Sequence, residues 1–449
     1  MKLRITQLLG YGAGDMANNL AFSMASMFLL LYYTDVAGIP AAAAGTILLV
    51  VRVWDALADL VAGGLVDKTS TRWGKFRPWL LFASLPLLLL NVATFSVPDW
   101  SLTGKLVYAV VTYAAVGTAY SLVNIPYGSL AAAMTQDPVE RSKLASARSM
   151  GAAATILLLS LVVSPQIKSA ANLQHSMLLT TLAVVVIGGA LYLFTFFTAR
   201  ETVEREVQKV SLKESLATLR RNRPLILLCA SSLFFLTAMF SLQTIGVYYA
   251  RDVLGNANFY IFITVAQVGL MFLLAPLAPF VVRRFGKKSG YIGAGMVMIT
   301  GSAGVMFAPS SLPWVSLGFF VLVGMGLGLV NTLMWSLEAD TVEYGEWQTG
   351  VRMEGATYAV FSFVRKLGQA VGGATAAYTI GLAGYVSGTS AQTEVAVWGI
   401  RAAAGVVPAG CVIIAIVIML SYPLTESRFR EITAEVADRR SRVVDPHTS

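Results

Sequence analysis

Residues 46–62 read TILLVVRVWDALADLVA. The run is apolar enough to lie in lipid, yet it carries Arg52, Asp55 and Asp59. A helix needs about 20 predominantly apolar residues to cross the hydrocarbon core, and the neighbouring residues from Ala41 to Val66 supply that length. Comparable stretches lie on both sides, at 8–35, 78–97, 104–132, 146–164, 176–197, 224–250, 259–283, 289–308, 314–338, 353–382 and 398–422. Of the 449 residues, 56% are hydrophobic and only 13% charged, and the mean hydropathy is +0.68. Soluble chains carry about 25% charged residues. The loops between such spans are too short for a separate soluble domain. A β-barrel is excluded because its strands alternate apolar and polar residues in segments of about 10, whereas these runs are continuous. The predicted fold class is an all-α membrane protein with twelve transmembrane helices.

The net charge of +9 has a membrane explanation and does not call for nucleic acid. With both termini and alternate loops on one side, that side holds 25 Lys and Arg, and the other holds Lys105, Lys168, Arg251 and Arg401. By the positive-inside rule both termini are cytoplasmic. No small-residue cleavage site follows the first basic residues, so the first helix is read as retained. The stretch from Ala199 to Pro224 is the longest charged segment between spans. It divides the chain into a six-helix bundle at 1–198, a cytoplasmic linker at 199–223, a second six-helix bundle at 224–424 and a cytoplasmic tail at 425–449. The two halves echo each other. Arg72-Trp73-Gly74-Lys75 recurs as Arg284-Phe285-Gly286-Lys287, and Tyr127-Gly128-Ser129-Leu130 recurs as Met334-Trp335-Ser336-Leu337, at nearly the same offset. A six-helix duplication of this kind is the plan of major facilitator transporters.

Cys229 and Cys411 sit in apolar runs and suggest no disulfide framework. His175 and His447 have no partner at metal-ligand spacing, so no metal site is expected. There is no GxxxxGK[ST] loop for ATP, no HExxH and no nucleophile triad. The chain reads as a non-enzyme without a cofactor, whose partners are a small-molecule substrate and membrane lipid. No nucleic-acid or obligate protein partner is indicated.

A charge in the hydrocarbon core costs about 3 kcal/mol on insertion scales. Seven stand inside the spans: Asp15, Arg52, Asp55, Asp59, Arg148, Arg365 and Lys366. Asp55 and Asp59 share one helix face. Two carboxylates so close in low dielectric hold a proton or a cation between them, or else form a salt-bridge cluster with Arg52. Asp15 follows Gly10, Gly12 and Gly14, which suggest close helix approach or local unwinding. Its carboxylate could accept from two vicinal sugar hydroxyls, or pair with Arg148. Arg148, Arg365 and Lys366 bring cations into the core of both halves. This surplus suits an anionic substrate, or else Lys366 neutralises an acid of the second span and Arg365 snorkels to water. Both readings stand on residues alone.

With Tyr32-Tyr33-Thr34-Asp35-Val36, Trp54-Asp55-Ala56 with Asp59, Arg72-Trp73-Gly74-Lys75, Asn124-Ile125-Pro126-Tyr127 and EADTVEYGEWQTGVRMEG from Glu338 to Gly355, the chain resembles the glycoside–pentoside–hexuronide:cation symporter family, nearly end to end. Within it the NIPYGSLA and FSFVRK stretches most resemble the bacterial glucuronide carriers. The resemblance implies a cation site at Asp55 and Asp59 with Ser121 nearby. It implies a sugar site at Asp15, Tyr120, Asn124 and Arg148 in the first half, and at Asn331, Ser362, Arg365 and Lys366 in the second. Melibiose-type members have an aspartate at Asn124, a tryptophan at Gly128 and an apolar residue at Arg365. Losing an acid and gaining an arginine both favour an anionic sugar. Sodium-using members have an asparagine at Ala58, and the loss of that amide oxygen favours the proton, with sodium or lithium kept open.

The reading is a proton-coupled symporter that imports glucuronides across the bacterial inner membrane by alternating access. Arg365 or Lys366 would hold the uronate carboxylate, and Asp15 with Arg148 the ring hydroxyls. The alternatives are a sodium-coupled symporter of another glycoside or pentoside, or a lipid or drug transporter on the same fold. Cytoplasmic loops around Arg72–Arg77, Arg141–Lys143 and Glu338–Arg352 would form charge pairs that close the inward side. The tail around Phe429, Ile432 and Val436 would lie on the cytoplasmic membrane surface.

Overall fold

The computed structural model describes residues 3–135, 137–168, 170–201, 222–274, 277–350, 354–387, 389 and 391–444. The first half contains α1 (Ile5–Leu31), α2 (Ala41–Lys68), α3 (Arg77–Phe82), α4 (Ser84–Thr94), α5 (Leu102–Met134), α6 (Pro138–Val163) and α7 (Ala170–Thr198). The second contains α8 (Arg223–Tyr248), α9 (Phe259–Thr264), α10 (Leu270–Leu274), α11 (Ala278–Phe285), α12 (Lys287–Phe307), α13 (Pro313–Thr349), α14 (Glu354–Leu382), α15 (Glu394–Ala404), α16 (Val406–Leu420) and α17 (Glu426–Val444). Single π-helical turns follow α1 (Tyr32–Val36) and α8 (Tyr249–Val253) and interrupt the eighth span at Val265–Gly269.

Helices are the expected answer to these sequences, since in lipid a backbone amide must be satisfied within its own segment. Among the described residues nine helices are long and apolar enough to cross a membrane. The other three predicted spans are helical too, and each has a reason to fall short of that length or hydropathy. The first, α1, carries Asp15, Asn18 and Asn19; α14 carries Arg365, Lys366 and Gln369; the eighth span is broken into short helices by its π turn.

The described residues fall into two compact units. The first comprises Met1–Val207, Ser241–Val265 and Gly373–Ala403; the second comprises Gln208–Phe240, Ala266–Gly372 and Ala404–Ser449. In the first, α1 packs on α6 and α7, α2 packs on α5, and α4 packs on α5 and α7. Glycine permits the closest of these approaches: a Cβ at Gly151 of α6 would stand 2.5 Å from the Gly12 carbonyl oxygen of α1. Since α1 is one continuous helix from Ile5 to Leu31, its glycines serve close approach and not unwinding. In the second unit α12 packs on α13 and α16, and α17 packs on α13.

The repeated RxGK loops share a backbone feature. Gly74 and Gly286 both have positive φ, +105° and +79°, a conformation that glycine adopts without steric penalty. In the first copy the amides of Lys75, Phe76 and Arg77 all donate to the Glu201 carboxylate, at 2.9, 2.8 and 3.1 Å. The Arg77 guanidinium donates to the Phe196 carbonyl at 2.9 Å. In the second, Lys287 Nζ contacts both oxygens of Asp340 at 2.7 Å.

Two expectations change. Glu338–Arg352 is not a loop as far as Thr349, because α13 continues to that residue and stops at Gly350, which is left-handed at φ +74°. Arg352 lies outside the described residues, as does most of the 199–223 linker. The tail forms the helix α17, but its apolar face is covered by protein. Ile432 and Val436 are buried, Lys287 sits 5.1 Å from the Phe429 ring centroid, and Trp347 Nε1 donates to Glu435 at 2.6 Å.

Candidate functional site

The helical spacing of α2 puts Arg52, Asp55 and Asp59 on one side, and α5 receives them. The Asp55 carboxylate is buried, 3.1 Å from Arg52 Nη1. Arg52 in turn lies 5.0 Å from the centroid of Phe22 and 5.8 Å from that of Tyr113. Asp59 does not share this guanidinium bond. Its Oδ1 accepts from the Ser121 hydroxyl at 2.6 Å. The Gly117 carbonyl stands 3.1 Å from the same hydroxyl. The α5 position facing Asp55 must be small. A Cβ at Gly117 would collide with the Asp55 carboxylate. The two helices are tied by Trp54 Nε1 donating to Thr118 Oγ1 at 2.9 Å. On α2 Asp55 thus forms the expected salt bridge with Arg52, while Asp59 accepts from the Ser121 hydroxyl of α5.

The first-half sugar candidates form a second group. Asp15 is paired with Arg148, Nε to Oδ1 at 2.9 Å. Asn19 Nδ2 donates to the Asp15 carbonyl and to Asp15 Oδ2, each at 2.9 Å, and Ser23 Oγ donates to Asn19 Oδ1 at 3.3 Å. The Asp15 side chain is 5% exposed and that of Arg148 38%. The pair therefore presents its guanidinium and hides its carboxylate. Arg148 is braced 5.5 Å from the Tyr127 ring centroid; Tyr127 stacks on Tyr11 at 4.7 Å and donates to the Tyr11 carbonyl at 2.6 Å. A Cβ at Gly128 would lie 4.0 Å from Arg148 Nη1, so the absence of a side chain there keeps the guanidinium uncovered. Tyr120 stacks on Phe22 at 5.5 Å, which links it to Arg52. One turn along α5, Asn124 Oδ1 is buried without a hydrogen-bond partner among the described residues.

The remaining candidates belong to the second compact unit. Asn331 stands on α13. Ser362, Arg365 and Lys366 occupy one face of α14, at spacings of three and four. Arg365 Nε is buried and has no acceptor among the described residues. Around them Trp335 of α13 packs edge-on against Phe361 and stacks on Tyr358, at 5.1 and 6.2 Å. A Cβ at Gly368 would stand 2.7 Å from the Leu236 Cβ of α8.

Residue reasoning missed several participants. Asn19 and Ser23 are uncharged and were passed over, although adjacent Asn18 and Asn19 inside a span are a signal. Gly117 and Thr118 carry no chemistry until α2 lies against them. A third cluster was also missed. Asp35 accepts from Tyr385 at 2.9 and 3.0 Å and from Arg251 Nη1 at 3.2 Å, within the first unit. Its signal was a repeat: YYTDVAG at 32–38 recurs as YARDVLG at 249–255.

Comparison with known proteins agrees with this architecture. The family described as MFS/sugar transport protein matches residues 10–426. The chain is 46% identical over 446 residues to the glucuronide carrier protein homolog of Escherichia coli (strain K12), covering 96% of this chain and 95% of that one. It is 32% identical to the inner membrane symporter YicJ of the same strain, covering 100% of this chain and 98% of that one. Among solved structures, a bacterial homologue of the human lysosomal transporter Spinster, inward-facing and unoccupied, has a TM-score of 0.68 at 12% identity, covering 95% of this chain and 97% of that one. That likeness speaks to the fold alone. Intramembrane charges, a duplicated six-helix pattern and end-to-end identity with symporters converge: the chain is a multi-pass membrane protein belonging to the major facilitator sugar-transport family, of the glycoside–pentoside–hexuronide symporter type.

Proposed function

We propose that the protein imports glucuronides together with a proton by alternating access, with both termini in the cytoplasm. The observation that carries the substrate class is Arg365, whose Nε is buried without an acceptor among the described residues. A buried guanidinium donor lacking a partner is costly, and a planar carboxylate matches its fork. Arg365, with Lys366 on the same helix face, takes the uronate carboxylate. Arg148, held at its Nε by Asp15, serves the ring hydroxyls. The same sugar-binding role is assigned to Tyr120 and Asn124 in the first unit, and to Asn331 and Ser362 in the second. The carrier homolog's name supports the same class of substrate.

The transported proton is assigned to the Asp55 and Asp59 pair, and within it to Asp59, whose Oδ1 accepts from the Ser121 hydroxyl while Asp55 lies against Arg52. A sodium-coupled reading has one observation in its favour: Asp59 Oδ1, Ser121 Oγ and the Gly117 carbonyl oxygen lie together. The test is uptake of labelled glucuronide in proteoliposomes under an imposed proton gradient, in sodium-free buffer. Accumulation that collapses with an uncoupler is expected. Accumulation only when sodium is supplied would replace the ion, and no competition by unlabelled glucuronide would replace the substrate.

A further inference from the structure

At the end of α1 remote from the N-terminus, three stretches of chain separated by hundreds of residues meet inside the first compact unit. Asp35, in the π turn after α1, receives Tyr385 from beyond α14 and Arg251 from the π turn after α8. Arg251 also bonds the Tyr385 hydroxyl. Beneath them Thr34 Oγ1 and the Tyr248 hydroxyl are 2.8 Å apart, and the Tyr248 ring lies edge-on to Tyr385 at 5.3 Å. The Asp35 side chain is 6% exposed and that of Arg251 21%. Burial holds the Tyr385 hydroxyl well above the ordinary phenol range, so it remains a donor. The same unit has a second seam. Thr46 of α2 bonds Tyr378 of α14 at 2.7 Å, and Gly381 approaches Ala42 so closely that a Cβ there would lie 3.4 Å from the Ala42 Cβ.

A permanent buried ion pair and a releasable one differ in what each partner keeps when the pair parts. Breaking a buried pair is costly because it strands a charge. Here neither partner would be stranded. Arg251 also holds Asp252 through Nε and Nη2, each at 2.8 Å, and Asp35 Oδ2 also accepts from Thr34 at 2.7 Å. The internal repeat explains this. Asp35 and Asp252 are equivalent positions of YYTDVAG and YARDVLG, and only the second copy has an arginine, where the first has Thr34. Each copy retains a local partner, and the cation of one copy is lent to the acid of the other. π turns, which often mark functional positions in helices, put both copies in place.

We propose that Asp35, Arg251 and Tyr385 form a reversible clamp that shuts the end of the first unit remote from the start of α1 and must part in every transport cycle. The clamp deepens the transport reading and rests on alternating access, but not on the identity of the sugar. The test uses the full chain with Cys229→Ser and Cys411→Ser, carrying Ala42→Cys with Gly381→Cys, whose Cβ separation is close to that of a disulfide. Oxidation should cross-link the pair in the absence of substrate and stop uptake of labelled p-nitrophenyl glucuronide, and reduction should restore it. Removing one hydrogen bond to a charged group shifts a two-state equilibrium by about tenfold. Adding Tyr385→Phe or Asp35→Asn should therefore slow cross-linking by roughly threefold or more. Full uptake by the cross-linked protein, or cross-linking rates untouched by both substitutions, would overturn the clamp. If the cysteine pair does not fold, Thr46→Cys with Tyr378→Cys, bridged by a short bis-maleimide, gives the same readout. If even the reduced protein fails to take up the glucuronide, the substrate assignment falls, and the cross-linking rates still decide the clamp.

Discussion

Asp59→Asn would leave Ser121 beside a neutral amide and remove the group to which the transported proton is assigned. Proton-driven accumulation should fall to equilibrium while exchange of substrate across the membrane persists; uphill accumulation by the mutant would take Asp59 out of the coupling step. Asp55→Asn is a different perturbation, because it leaves the Arg52 guanidinium, 15% exposed, without its acid. Breaking a buried pair costs about 3–5 kcal/mol, so this variant should also lower the thermal midpoint in detergent, which Asp59→Asn should do far less. Arg365→Val should raise KM for a glucuronide by about tenfold or more, the worth of a charge-assisted hydrogen bond, and change KM for a neutral glycoside little. Equal losses would refute the carboxylate assignment. These residues were legible as candidates because a charge in a span is conspicuous. Their division of labour was not, since it depends on Arg52 reaching Asp55 while Ser121, on another helix, reaches Asp59.

Helix contacts rest on glycines whose sequence context is plain. Gly151→Ala would drive a methyl to 2.5 Å from the Gly12 carbonyl, a backbone atom that cannot swing aside. It should destabilise the protein by about 1–3 kcal/mol, the usual cost of overpacking, as measured by thermal unfolding in detergent. Gly189→Ala, with nothing within 4 Å of its added methyl, should be neutral. Equal effects would show that α1 and α6 are not held by this contact. Span positions were readable because hydropathy is a local sum over about 20 residues. The helical extension of α13 to Thr349 was not, because its last turns are polar and only packing against α17 makes them part of the folded body.

Over the whole molecule, the tail shows how patterning can name a face without naming what covers it. Phe429, Ile432 and Val436 are a stripe of α17 that could serve a lipid surface equally well. In the structure Ile432 is fully buried, and Arg428 lies 5.3 Å from the Trp347 ring centroid. Ile432→Ala should therefore cost about 2–5 kcal/mol of local stability and speed protease cleavage of α17 in detergent micelles. Unchanged cleavage would mean that the helix is held elsewhere.

The amino-acid sequence by itself determined which stretches are apolar enough to cross the membrane, which charges enter them, that short motifs recur between the halves, and which family motifs they carry. Each of these depends on neighbours along the chain. Tertiary structure alone decided which charges meet. Arg148 joins Asp15 across 133 positions, and Tyr385 joins Asp35 across 350. In low dielectric an ionised group is tolerated by virtue of its partner, and that partner is chosen by helix packing, which no local pattern records.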